Sequence, residues 1–168
     1  MSRFRSLLAR ADRYEDNAPS ILSCMNHISA GLSKHFGHEC YRWNENEEVR
    51  RFESLILSRF LVDYALLTME EVPEGKRQLY LATTETVFQE TLRSIFPWLK
   101  VPDIVRKKLE MYSSILSDTS PPTCWQLLAG ACTGIDYFSE QNEATLAASS
   151  LILPTFLQSA REFWKRYM

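Results

Sequence analysis

EEVRRFESLILSRFLVDYALLTMEE, residues Glu47 to Glu71, is the stretch on which the fold turns. Wound at about 100° per residue, it gathers Val49, Phe52, Ile56, Phe60 and Leu67 into one sector, the pattern of an amphipathic helix. Between Leu55 and Leu67 apolar residues spread around most of the circumference. A helix of that kind is covered on several sides, so it is expected in the middle of the fold. It is not a membrane span: Arg59 and Asp63 break the run, and a span needs about 20 mainly apolar residues.

Those two charges are the candidate site. Asp63 projects into the centre of the apolar sector, and Arg59 lies one turn earlier at its edge. A buried carboxylate costs several kcal/mol unless it finds a partner or takes up a proton. One reading is an Arg59–Asp63 ion pair at i, i+4, joined by a tyrosine hydroxyl from another helix. The other is a polar spot lining an internal ligand pocket. The pair is favoured, because structural ion pairs produce the same pattern.

Outward from this stretch the chain reads as helix after helix. Ser2 to Arg13 forms a short helix with Phe4, Leu7, Leu8 and Ala11 on one side, a peripheral helix or arm over residues 1–16. Asn17-Ala-Pro-Ser starts the next, which runs to about His35 with Ile21, Met25, Ile28, Leu32 and Phe36 buried and Gly37 closing it. His38 to Glu45 is a connection whose Tyr41 and Trp43 fold back, and Asn44 or Asn46 caps the central helix. Pro73-Glu-Gly75 predicts a tight turn into an antiparallel helix, Lys76 to Phe96, with Leu81, Phe88, Leu92 and Ile95 on its face. Pro102 opens a helix to about Ser117 with Ile104, Val105, Tyr112, Ile115 and Leu116 inward.

After the loop Ser117–Thr123, a helix from about Pro122 to Phe138 carries the stripe Cys124, Leu127, Leu128, Ala131, Ile135 and Phe138. Its small middle, Ala129 to Ala131 with Thr133 and Gly134, permits close approach of another backbone, within the chain or across a subunit contact. The last helix is expected from Asn142 to Tyr167, kinked at Pro154.

Composition agrees. The 168 residues are 45% apolar and 24% charged, with few Gly and Pro and little β-type alternation. The expected fold is a single all-α domain over residues 1–168, an antiparallel bundle of six or seven helices around residues 47–71. A net charge of −2 gives no general pull toward nucleic acid, and Arg106-Lys107-Lys108 reads as a solvated face. Cys24, Cys40, Cys124 and Cys132 contain no C-x-x-C, and no apolar leader is found, so reduced thiols and a cytoplasmic location are expected.

Chemistry finds little foothold. His35-x-x-His38-Glu39-Cys40 gathers zinc-type ligands, but no second ligand pair follows, and His35 and Gly37 are explained by a helix end. No metal or cofactor is therefore expected. There is no E-x-x-H, no G-x-S-x-G and no phosphate-cradling glycine loop. Two functions remain. The first is a non-enzymatic interaction or structural module, a homodimer or a binder of a protein partner. The second is a bundle that holds a small apolar or amphipathic ligand beside Arg59 and Asp63.

Overall fold

Asn46 begins the decisive helix. Its side-chain oxygen accepts the Val49 N–H at 3.1 Å, and Glu47 and Glu48 sit in the first turn, where the helix dipole favours negative charge. The computed structural model describes residues 21–38, 46–97 and 102–167. The expected helix at residues 2–13, and Glu39, Cys40, Tyr41, Trp43, Trp98 and Leu99, lie outside the described residues.

In chain order the elements are α1 (21–38), α2 (Glu47–Thr68), α3 (Glu74–Ile95), α4 (Pro102–Asp118), α5 (Thr123–Thr133), a 3-10 turn (Glu140–Asn142), α6 (Glu143–Ser150) and α7 (Leu153–Tyr167). Among the described residues there is no strand, and the architecture is an all-α bundle. No described helix is long and apolar enough to cross a membrane.

Burial in α2 is continuous from Ser54 to Val62, and the helix touches α3, α4, α5 and, most extensively, α7. Trp164 of α7 is fully buried and donates its indole N–H to the Val62 carbonyl at 2.9 Å. Tyr80 stacks on the same indole, and Tyr167 meets it edge-on. The ends of α2 are open: Val49 is 45% and Leu67 52% exposed, so neither joins the buried sector expected of them.

The helix also stops at Thr68, not at Glu71. Arg77 explains the stop. Its Nη2 donates to the Met69 and Val72 carbonyls at 2.8 and 3.1 Å, and its Nη1 pairs with Glu74 at 3.1 Å. The first bond satisfies the C-cap carbonyl, which Pro73, having no N–H, cannot bond, and the second ties down the turn that follows. The turn therefore falls on residues 69–72, and Pro73-Glu-Gly75 starts α3.

α1 buries Ile21, Met25, Ile28, Leu32 and Phe36 completely, the stripe read from the sequence. Gly37, however, lies inside the helix, which runs on through His38. Gly31 lets α1 approach α7: a methyl built there would overlap the Phe156 ring. His35 reaches the Ala148 carbonyl of α6 at 3.3 Å. In α3, Thr83 and Thr84 are buried with Val87, Phe88 and Leu92, each hydroxyl returned to the carbonyl four residues back.

Further corrections concern the second half. α5 ends at Thr133, because Gly134 adopts φ +75° and donates its N–H to the Gly130 carbonyl at 2.8 Å. Phe138, expected on its stripe, is 86% exposed, and Ile104 of α4 is 50% exposed. The close approach expected at the small residues is made within the chain, where a Cβ on Gly130 would lie 2.9 Å from the Ile135 carbonyl oxygen. The last helix is two helices. Leu151 and Ile152 separate α6 from α7, and Pro154 sits in the first turn of α7, where its missing N–H costs nothing. A break replaces the expected kink.

Candidate functional site

Arg59 and Asp63 close on each other. Nε of Arg59 lies 3.3 Å from Oδ2 of Asp63, and its guanidinium carbon sits 4.8 Å from the centroid of the Phe88 ring. The other carboxylate oxygen, Oδ1, is buried without a hydrogen-bond partner among the described residues, so no tyrosine joins the pair. Burial pushes the Asp63 carboxyl up to about 6; Arg59 opposes the rise and Glu85 adds to it. The cation does not fully offset the loss of water around the acid.

A second buried ion pair joins α2 to α4. Glu53 and Lys108 meet at 2.7 Å with side chains 13% and 21% exposed. Burial raises the Glu53 carboxyl in spite of Lys108. Beside it, fully buried Tyr112 tilts against Phe60, its hydroxyl held protonated by burial with Cys132 and Glu53 adding to the rise.

A large opening lies elsewhere among the described residues, away from Arg59 and Asp63. A groove of about 1180 Å³ runs between α1 and α3 and reaches the first turns of α2. Along α1 its wall is Leu22, Asn26, Ser29, Ala30, Ser33 and Gly37. All of them but Ala30 follow a residue of the buried stripe by one position, which turns them about 100° from it. Across from them stand Val87, Thr91 and Ile95 of α3, with Leu55 of α2 in the floor. Lys34, Arg50 and Arg51 set three cations on the rim against one acid, Glu90. Neither Arg59 nor Asp63 lines this groove. Valine, leucine and isoleucine at its base come from helices that also pack the core, so the shape is fixed by the fold.

A smaller hollow of about 630 Å³ separates the start of α1 from the end of α7 and holds Cys24, His27, Glu162 and Arg166. The residue types suit nucleophilic chemistry, but burial pushes the Cys24 thiol up to about 11, against a small opposing effect from Arg166. The thiolate that such chemistry needs is thereby disfavoured.

Of the metal-type candidates, only His35 and His38 fall among the described residues. His35 is engaged with α6, His38 is exposed, and Glu39 and Cys40 lie outside the described residues. Among the described residues no group of three metal-type ligands comes together.

The sequence reading missed the groove. Its α1 wall was legible as a run of small and polar residues at helical spacing, Asn26, Ser29, Ala30, Ser33 and Gly37. Nothing in one sequence says that this face would stand opposite α3. No family model, no curated protein and no solved structure matches the chain, so what the groove does is read from its own side chains.

Proposed function

We propose that the protein is a non-enzymatic interaction module that receives a protein partner in the groove between α1 and α3. One observation carries the reading: a long, mostly apolar opening built from three helices and rimmed by unlike charges. From Leu22 to Gly37 the α1 wall spans about 22 Å at 1.5 Å per residue. Its volume of about 1180 Å³ exceeds the range of about 300–1000 Å³ typical of small-molecule pockets. The Arg59–Asp63 contact supports a structural role for that pair, since each charge is engaged by the other and the guanidinium also lies over the Phe88 ring.

A photo-reactive phenylalanine analogue placed at Ser33 tests the proposal, with the same residue at exposed Glu162 as control. The expected result is a defined polypeptide adduct from position 33 alone, mapped by mass spectrometry and blocked when Ala30→Trp fills the groove. Adducts that form equally from both positions, or none from position 33, would sink the reading.

A further inference from the structure

The groove selects its occupant by shape and by charge. Its α1 wall carries Ser29, Ala30, Ser33 and Gly37, side chains short enough for another helix to settle against the backbone. Helices packed in this way lie about 8–10 Å apart. A wall of about 22 Å matches a helix of about 15 residues. An extended strand would need an open sheet edge, and the described residues contain no strand.

Charge narrows the choice further. The chain as a whole carries −2, yet the exposed cations Lys34 and Arg51 stand together at the groove against one lining acid, Glu90. Lys34 and Arg51 are exposed, and neither is in an ion pair among the described residues. Both stand at the end of the groove where α1 finishes and α2 starts. Unlike charges across a rim set orientation and speed of encounter more than total affinity.

We infer that the occupant is an amphipathic helix of a partner protein, with a stripe of leucine and small residues facing α1 and α3 and acidic residues meeting Lys34 and Arg51. This rests on the interaction reading above and gives that partner its chemistry. The binding mode is helix-in-groove, in which contacts recur at i, i+3, i+4 and i+7 of the bound segment.

The probe is a fluorescein-labelled synthetic helix of about 15 residues with leucine and alanine at that spacing and glutamate on its flanks. A second peptide has lysine in place of each glutamate. Fluorescence anisotropy with the full chain at low salt should give binding of the glutamate peptide roughly tenfold tighter or more than the lysine peptide, an advantage that shrinks as salt is added. Hydrogen exchange should slow on residues 22–37 and 87–95 when the glutamate peptide is present. The double variant Lys34→Glu, Arg51→Glu should invert the preference, with circular dichroism checking that the helices persist.

Charge-blind binding, protection on another face, or failure of both peptides overturns the inference. So does a dimer seen by sedimentation that Ala30→Trp abolishes, because the groove then belongs to a second copy. Failure here is separable from failure of the interaction reading. If position 33 still yields its adduct while the peptides fail, only the helical, acidic character of the partner is lost. If position 33 yields none, the interaction reading itself falls.

Discussion

Replacing Asp63 by asparagine should remove a pH dependence from the stability, so that the variant gains on the parent as pH rises from about 4 to about 6 and keeps that gain above it. Asp63 touches one cation through one oxygen, leaves the other oxygen unbonded, and is only 18% exposed. Its carboxyl moves from an ordinary value near 3.8 to about 6 in the fold, with burial the largest cause. At about 1.4 kcal/mol per tenfold change in acidity, the fold favours the neutral acid over the carboxylate by about 3 kcal/mol. The sign follows from proton counts. Between pH 3.8 and about 6 the folded chain holds a proton that the unfolded chain has released, so stability falls as pH rises through that window. Asparagine keeps the shape and an oxygen for Arg59 and carries no charge. Urea unfolding followed by tryptophan fluorescence, run on both proteins from about pH 4 to about pH 8, isolates the effect, because shared groups such as Glu53 cancel in the difference. The Asp63→Asn protein should gain about 2 kcal/mol relative to the parent between about pH 4 and about pH 8, nearly all of it below about pH 6.5. A difference that stays flat, or that falls with pH, would refute the reasoning, since Arg59 would then more than offset the loss of hydration.

Three further outcomes are expected. Trp164→Phe removes the indole donor from the Val62 carbonyl, which keeps its helical partner, and should cost about 0.5–1.5 kcal/mol in the same urea assay, beyond any loss from the smaller ring. Gly31→Ala forces a methyl against the Phe156 ring and should cost about 1–3 kcal/mol; adding Phe156→Leu should recover much of it, and a double-mutant cycle measures the coupling. Gly134→Ala places a side chain at φ +75° with no steric neighbour and should cost about 1 kcal/mol, read as a lower thermal midpoint with unchanged helix content.

Much of this architecture was legible in residue spacing. The α1 stripe from Ile21 to Phe36, the cap at Asn46, and the pairing of Arg59 with Asp63 follow from local periodicity and local charge. Where the reading slipped, a distant or competing contact decided. Thr68 ends α2 because Arg77, on the following helix, takes the carbonyls beyond it. Gly134 outweighs the apolar residues after it, since its left-handed conformation closes α5 before Ile135 and Phe138. Pro154 was given the wrong neighbours: a proline near the start of a helix is welcome, so the apolar pattern on either side belongs to two helices. The groove was the least legible feature. It exists only where faces of α1, α2 and α3 stand apart, and a periodic pattern reports which residues are buried, not which helices leave a gap.

The indole bond between Trp164 and Val62 spans 102 positions of chain. Closing a loop of that size carries an entropic cost that shorter turns avoid, and the packing of α7 on α2 has to offset it. Until the clasp shuts, the oily middle of α2 has water where Trp164 will lie. A chain cut short before that tryptophan would stay unlatched, α2 half undressed and prone to stick to its own kind.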